Sequence, residues 1–236
     1  LDFVSALRGA EYPAIIVEVK RASPSKGMIR EDLDPIVCAK EYAENGATCI
    51  SVLTDKEFFK GDIQFLTEIK KQVPTIPLLR KDFIIDPIQV WQSKAIGADA
   101  VLLIVSALSN EDLFLLAEHC LEAGLQVLCE VHSHEELEIA FRLWEELFAE
   151  TDAFILGINN RNLKTFETNL ETTKELASLW HERGSGALVV SESGIASVED
   201  VSVLRSYGAE GFLIGEYFVK KGNPGENIAQ CIKNLL

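Results

Sequence analysis

Eight short runs of apolar and β-branched residues recur along the chain, with starts 23 to 34 residues apart. Near-continuous apolar runs of this length are typical of strands that are buried on both faces, as in parallel sheets. The predicted strands are Ile15–Lys20, Cys49–Thr54, Pro77–Asp82, Ala100–Val105, Gln126–Val131, Phe154–Asn159, Ala187–Ser193 and Gly211–Glu216.

The segments between these runs carry helix signals. Asp34 and Asp86 are each followed by proline, and this pairs an N-cap residue with the residue favoured at the first helical position. Ser133 predicts a capping box before a helix over Leu137–Phe148. Glycines that end helices just before a strand are Gly46, Gly97, Gly124 and Gly208. Eight strand–helix units predict one closed (β/α)8 TIM barrel of class α/β over residues 1–236, because open doubly wound sheets usually have fewer strands.

The composition fits one such domain and narrows its partners. The 236 residues are 47% hydrophobic, and 22 basic against 37 acidic residues give a net charge of −15. Nucleic acid and anionic membranes bind basic surfaces, so neither is an expected partner, whereas a local basic pocket still allows a small anionic substrate. No apolar run approaches the ~20 residues of a membrane span, and the first residues do not resemble a secretory signal.

The five cysteines are odd in number and include no C-x-x-C pair. This predicts buried, reduced thiols in a reducing compartment. The expected location is the cytoplasm, or a plastid if a transit peptide has been removed.

Charged and amide side chains lie near the C-terminal ends of the predicted strands, where barrel enzymes carry their catalytic residues. The candidates are Glu18, Lys20, Lys81, Glu130, Asn159 and Glu192. Ion pairs that merely fill the barrel are the alternative, but aliphatic side chains fill it without the cost of burying charge. Lysines in apolar surroundings near other cations are expected to have a lowered pKa, which suits proton transfer near neutral pH.

Glycines follow the last two predicted strands, at Ser193-Gly194 and Gly215-Glu216. Backbone N–H groups can approach a phosphate there, although glycine after a strand is also common turn chemistry.

The first two loops add positive charge and aromatic rings. The loop RASPSKGMIRED is basic, and the loop DKEFFKGD places Phe58 and Phe59 beside a lysine. This combination suits an aromatic anion, or else the rings cover the rim of the barrel. His132 and His134 have no third ligand nearby in sequence and are interpreted as solvated loop residues rather than a metal site.

Eight segments, in order along essentially the whole chain, resemble the indole-3-glycerol-phosphate synthase family. They are IIVEVKRASPSKG, SVLTDKEFFKGD, LLRKDFIIDPIQV, ADAVLLIV, LCEVHSHEEL, GINNRNLKTFETNLE, VVSESGI and FLIGEYFVKKGNP. The resemblance implies a carboxy-lyase of tryptophan biosynthesis that needs no metal or organic cofactor. Its substrate is 1-(o-carboxyphenylamino)-1-deoxyribulose 5-phosphate, and its products are indole-3-glycerol phosphate, carbon dioxide and water.

The resemblance also implies roles for the charged strand ends. Lys81 is the general acid that protonates the ketone oxygen for ring closure, and Glu130 gives or takes a proton in the later loss of water. Lys20 holds the substrate carboxylate and assists departure of the hydroxyl, while Glu18 acts as a base and orients Lys20.

The remaining implied residues bind the substrate. Asn159 and Glu192 hold the ribulose hydroxyls, and Arg161 lies near the anthranilate end. Further implied substrate contacts are Ser23, Phe59, Phe83, Leu102, Leu163 and Ser193, and the implied phosphate site is Gly194, Gly215 and Glu216. Many relatives have a small hydroxyl residue in place of Glu216, whose carboxylate repels phosphate, so only its backbone N–H is expected to contribute.

Two alternatives stay open beside this resemblance. Phosphoribosylanthranilate isomerase has a similar fold and phosphate site but needs a Cys/Asp pair, whereas the first strand here offers Glu18 and Lys20 and no cysteine. A truncated or inactive relative that serves as a scaffold is the second, since the sequence lacks most of the N-terminal extension usual in the family. A monomer is expected, able to associate with other enzymes of the tryptophan pathway.

Overall fold

The structure, a computed structural model, describes residues 1–24, 26–162, 165–220 and 222–235. Its barrel strands are β1 (Ala14–Val19), β2 (Cys49–Leu53), β3 (Leu78–Lys81), β4 (Ala100–Ile104), β5 (Gln126–Val131), β6 (Phe154–Asn159), β7 (Leu188–Glu192) and β8 (Gly211–Ile214). Two of these match the predicted bounds residue for residue, and the others differ by one or two residues at an end.

The eight strands form a closed barrel in which each strand pairs in parallel with its neighbours in sequence. The strand β8 closes the ring on β1, with Ala14 opposite Gly211. The predicted (β/α)8 TIM barrel is therefore confirmed.

Helices alternate with the strands and surround the barrel. They are α1 (Phe3–Arg8), α2 (Pro35–Glu44), α3 (Ile63–Gln72), α4 (Pro87–Ala95), α5 (Asn110–Ala123), α6 (His134–Leu143), α7 (Glu171–Glu182), α8 (Val198–Ser206), α9 (Glu216–Val219) and α10 (Pro224–Leu235). A 3-10 turn follows β4 at Val105–Ala107, and a π-helical turn extends α6 over Trp144–Phe148. A small antiparallel hairpin, Ala22–Ser23 with Gly27–Met28, lies in the loop after β1.

The predicted caps are largely confirmed. Asp34 and Asp86 cap α2 and α4 with their carboxylates, and the four predicted C-terminal glycines all have positive φ. The expected capping box at Ser133 is only half formed. Ser133 accepts the N–H of Glu136, but the carboxylate of Glu136 reaches one residue further back and accepts the N–H of His132 (2.7 Å).

Apolar side chains form two clusters that are separated by the barrel wall. The inner cluster fills the barrel with residues such as Ile16, Leu128 and Ile155, and the outer cluster lies between the strands and the helices. The helix α1, which the hydrophobic pattern did not predict, closes the N-terminal end of the barrel. Phe3 is fully buried in the inner cluster, and the N–H groups of Phe3 and Val4 donate to Oε1 of Gln126 at the start of β5.

The predicted state of the cysteines is confirmed, because all five are buried and free. Within the described residues, no helix is both long enough and apolar enough to cross a membrane.

Candidate active site

Four buried or nearly buried charged side chains meet at the C-terminal end of the barrel. Glu18, Lys81, Glu130 and Glu192 come from β1, β3, β5 and β7, and alternate strands are the ones that supply one layer of a barrel interior. The three carboxylates are at most 3% exposed. These four side chains, here called the charged layer, thus occupy the uppermost layer of the barrel interior, where aliphatic side chains would otherwise complete the core.

Lys81 lies at the centre of this layer. Its Nζ is 2.5 Å from Oε2 of Glu192 and 3.6 Å from Oε2 of Glu130. Lys20, just beyond the end of β1, forms an ion pair with Glu18. Burial of several charges is tolerated only when they are paired, and here each cation has a carboxylate partner.

The pKa of Lys81 corrects an expectation from the sequence. Burial is the largest influence and on its own would lower that pKa, but the negative charges of Glu192, Glu130 and Glu18 together raise it above its ordinary value. The prediction of a lowered pKa was wrong for Lys81, because its nearest neighbours are carboxylates and not cations. Lys81 is therefore a protonated ammonium across the neutral range and carries the proton that a general acid needs.

The carboxylates of the layer differ in their tendency to ionise. Burial raises the pKa of Glu192 to about 7, with the charge of Lys81 opposing the shift and that of Glu130 adding to it. Burial also acts on Glu18, but the charges of Lys20, Lys81 and Arg161 outweigh it and lower the pKa of Glu18. Near neutral pH the layer therefore combines a charged carboxylate with one close to its midpoint.

Two glycines make room for these carboxylates. A Cβ at Gly157, in the middle of β6, would lie 2.4 Å from Oε1 of Glu192, and a Cβ at Gly215 would lie 2.6 Å from Oε2 of Glu18. The sequence analysis did not single out Gly157. The signal was available, since glycine inside a strand often marks a close approach by another group.

Replacing Gly157 by alanine is expected to displace Glu192 and, through it, Lys81. We expect kcat to fall about 10²-fold, the cost of a displacement of roughly 1 Å at a reacting group. Gly186→Ala is the matched control, because a Cβ at that position meets nothing within 4 Å. Steady-state kinetics on both variants, with thermal unfolding to verify the fold, provides the measurement, and an unchanged kcat in Gly157→Ala would contradict the expected role of this space.

A cavity of about 750 Å³, here called the mouth cavity, opens above the charged layer. Residues from both ends of the chain and from the loops after β2 and β6 line it. Among them are Glu18, Lys20, Phe59, Lys81, Asn159, Arg161, Ser193, Gly194, Gly215 and Glu216. The structure thus brings ten of the residues named in the sequence analysis to one cavity.

The other named residues lie elsewhere or cannot be placed. Glu130 and Glu192 are beneath the mouth cavity, in contact with Lys81. Phe83 lies outside the cavity lining, 39% exposed and edge-on to Phe58 at 6.3 Å between ring centres. Further named residues are Ser23, which is buried in the hairpin after β1, Leu102, which is buried in the inner cluster, and Leu163, which lies outside the described residues.

One end of the mouth cavity has the features of an anion site. Ser193 and Gly194 have φ of 66° and 81°, and a Cβ at Gly194 would lie 2.3 Å from Cγ2 of Thr168. The carboxylate of Glu216 faces Lys26 and Lys220 in this region, at 2.7 and 3.5 Å from their ammonium groups. The side chain of Glu216 is therefore engaged in ion pairs, a contact that the sequence analysis did not foresee.

Arg80 is a further residue that the sequence analysis did not single out. It is 2% exposed on the outer face of β3, and its guanidinium donates to Asp82 (2.9 Å), Thr54 (3.1 Å) and Ser93 (3.0 Å). These contacts tie the ends of β2 and β3 to α4. Because Lys81 follows Arg80 directly, this network fixes the strand end from which Lys81 projects.

The two histidines after β5 differ from each other. His134 is exposed, as predicted, but the side chain of His132 is only 11% exposed and lies between Glu130 and Glu136. The solvated-loop interpretation was therefore wrong for His132, because the carboxylate of Glu136 turns back and draws the imidazole inward. Within the described part of the chain, no group of three or more His, Cys, Asp or Glu residues is placed to hold a metal ion.

Comparison with known proteins identifies the family. The sequence profile described as indole-3-glycerol phosphate synthase matches residues 1–231. Indole-3-glycerol phosphate synthase of Chromobacterium violaceum is 45% identical over 97% of this chain and 83% of the relative. The enzyme of the same name from a Roseiflexus species is 48% identical over 92% and 80%.

Solved structures confirm the architecture alone. A 3-hexulose-6-phosphate synthase superposes with a TM-score of 0.66 at 14% identity, covering 93% of this chain and 99% of that chain. A thiamine phosphate pyrophosphorylase from Pyrococcus furiosus has a TM-score of 0.65 at 15% identity, with 95% and 97% covered. At such identities the likeness shows a shared barrel and no shared reaction.

Proposed function

Because this chain belongs to the indole-3-glycerol phosphate synthase family, we propose that the charged layer and the mouth cavity above it carry out the reaction of that family. That reaction is ring closure, decarboxylation and dehydration of 1-(o-carboxyphenylamino)-1-deoxyribulose 5-phosphate in tryptophan biosynthesis. The enzyme is a carboxy-lyase. The observation that carries the assignment to this site is the protonated Lys81, held between buried carboxylates beneath the mouth cavity.

Lys81 starts the reaction as the general acid. Ring closure places negative charge on the ketone oxygen of the substrate, and a positioned ammonium both neutralises that oxygen and gives it a proton. The contacts with Glu192 and Glu130 hold Nζ in place before the substrate arrives. This preorganisation lowers the cost of reorganising the site during the reaction.

Lys20 and Glu18 serve the carboxylate end of the substrate. Lys20 pairs with the carboxylate that leaves as carbon dioxide and assists departure of the hydroxyl, while Glu18 orients Lys20 through their ion pair. Glu130 gives or takes the proton in the final loss of water. Asn159 and Glu192 accept hydrogen bonds from the ribulose hydroxyls, and Asn159 is kept in orientation by the N–H of Arg161 (3.0 Å).

The remaining lining residues bind the two ends of the substrate. Arg161 and Phe59, which both line the mouth cavity, bind the anthranilate ring and its carboxylate. The backbone around Gly194 and Gly215 takes the phosphate, and Lys26 and Lys220 supply positive charge beside it.

Glu216→Ser tests the phosphate end. The carboxylate of Glu216 competes with a phosphate for Lys26 and Lys220, so its removal is expected to lower KM about twofold to fivefold with little change in kcat, about the effect of one partly exposed ion pair. Substrate titrations at low and high salt provide the measurement, since salt screens the repulsion. A raised KM would contradict this expectation and assign Glu216 a supporting role instead.

The decisive experiment adds the substrate to the purified chain and follows the appearance of indole fluorescence together with release of carbon dioxide. Phosphoribosylanthranilate serves as the control substrate for the isomerase alternative. Indole formation with the first substrate alone supports the proposal. Absence of indole formation, or turnover of the control substrate instead, would overturn it.

A further inference from the structure

A second cavity lies beside the barrel mouth and shares Asn159 with the mouth cavity. Its volume is about 450 Å³, and it is here called the side cavity. It lies between the 3-10 turn after β4 and the loops after β5 and β6. Its lining includes Ser106, His132, Glu136, Asn160, Glu167 and Asn169.

A continuous line of ionisable groups joins the two cavities. Beyond Lys81 and Glu130, Oε1 of Glu130 lies 3.3 Å from Nε2 of His132, and Nδ1 of His132 lies 3.1 Å from Oε2 of Glu136. The first of these contacts is within ion-pair distance without hydrogen-bond alignment, and Nε2 of His132 is buried.

The surroundings of His132 favour a bound proton. Burial is the largest influence on its pKa and lowers it, but the hydrogen bond to Glu136 and the charges of Glu130, Glu136 and Glu192 raise the pKa above its ordinary value. The charged groups around the imidazole are the carboxylates of Glu130 on β5, Glu136 on α6 and Glu192 on β7, with Glu167 on the far side of the side cavity. The group can thus carry a proton near neutral pH.

The reaction itself requires a proton from outside. The substrate carboxylate leaves as neutral carbon dioxide and the hydroxyl leaves as water, while the phosphate is unchanged. The products together therefore carry one negative charge fewer than the substrate, and one proton must enter the site in every turnover. A route through the side cavity supplies this proton without passing the substrate in the mouth cavity.

We propose that His132 acts through Glu130, as the positioning residue by which a proton from the side cavity reaches that carboxylate. The proposal rests on the function assigned above to Glu130. In the transfer, the imidazolium of His132 gives the proton on Nε2 to Oε1 of Glu130 and is left neutral. Rotation of the neutral ring about its Cβ–Cγ bond then turns the bare nitrogen toward the side cavity, where it takes up the next proton from water. The carboxylate of Glu136 stabilises the charged form of the ring.

His132→Gln tests the proposal, with His134→Gln as the matched control. The control residue lies two positions further along and is exposed, and its Nε2 lies 3.9 Å from Glu138, away from the line. We expect His132→Gln to lower kcat about tenfold or more above pH 7.5, with KM nearly unchanged and a smaller loss at pH 6, where protons are abundant. Millimolar imidazole is expected to restore a large part of kcat, because the side cavity admits it. His134→Gln is expected to match the wild type throughout.

The alternatives give different results. A kcat profile of His132→Gln that superimposes on the wild type, or a loss that is equal at all pH values and is not restored by imidazole, would overturn the relay. If His132→Gln fails to fold, Glu136→Gln replaces it, because this variant interrupts the outer link and keeps the imidazole; the same pH-dependent loss is expected. Failure of the proposed function differs from failure of the relay. If the proposed function is wrong, the wild type forms no indole and Glu130→Gln has no effect.

Discussion

Replacing Lys81 by methionine is expected to lower kcat by about 10²–10⁴-fold, the range that a positioned general acid contributes. Methionine keeps an unbranched chain of similar length and removes only the ammonium group. Because Lys81 forms ion pairs with both Glu192 and Glu130, the variant also removes a positive charge from beside two buried carboxylates. We therefore expect a loss of about 3–5 kcal/mol in the free energy of unfolding at pH 8, as for other broken buried ion pairs, and a smaller loss at pH 5, where the carboxylates take up protons.

Lys94→Met is the control for this experiment. It removes one positive charge from the helix α4, where Lys94 donates to the carbonyl of Gly124 (3.1 Å) far from the charged layer. Indole fluorescence measures the rate, and chemical denaturation at the two pH values measures the stability. A Lys81→Met variant with wild-type kcat would remove Lys81 from the chemistry, whatever the change in stability.

Replacing Glu192 by glutamine is expected to separate stability from activity. The folded-state pKa of Glu192 is raised to about 7, above the ordinary value of a free carboxyl group. In the window between those two values, the native protein holds a proton that the unfolded chain has released, so this group makes the native state less stable as the pH rises toward 7. Glutamine does not titrate, so the variant does not lose this stability as the pH rises. The free energy of unfolding of the variant relative to the wild type should therefore increase by about 2–3 kcal/mol from pH 5 to pH 8.

The same substitution should reduce kcat/KM, because Lys81 loses its nearest carboxylate and the ribulose hydroxyls lose an acceptor. Glu175→Gln provides the control, since Glu175 is exposed on α7 and its removal has the same effect on net charge. Denaturation curves at several pH values are compared for the three proteins. If the difference between Glu192→Gln and the wild type is the same at pH 5 and pH 8, the raised pKa is refuted.

The barrel was accessible from the sequence because the signals for it are local and repeated. Apolar runs recur in all eight units, and Asp-Pro starts and glycine stops recur in several of them, each signal depending on a few adjacent residues. The ends of the strands were harder to predict. The predicted strand Gly211–Glu216 extends two residues too far, because β8 ends at Ile214, Gly215 turns the chain and Glu216 begins α9.

The sequence showed which residues form the charged layer but not how their charges act on one another. Their position at the strand ends identified Glu18, Lys81, Glu130 and Glu192, whereas the direction of the Lys81 pKa depends on which charges lie within a few ångströms. That information resides in contacts between strands far apart in sequence. The burial of His132 was missed for the same reason, since it depends on contacts with Glu130 and Glu136 and not on the polar residues next to it in the sequence.

The helix α1 has a consequence for how material passes through the enzyme. Phe3 and its neighbours seal the N-terminal end of the barrel, and the inner cluster beneath the charged layer is solid with apolar side chains. Carbon dioxide formed above Lys81 therefore has no exit through the base of the barrel and leaves at the C-terminal end, where the sugar phosphate binds. The gas, being small and uncharged, can leave while the phosphate ester is still bound, so we expect carbon dioxide to leave first and the phosphate ester last.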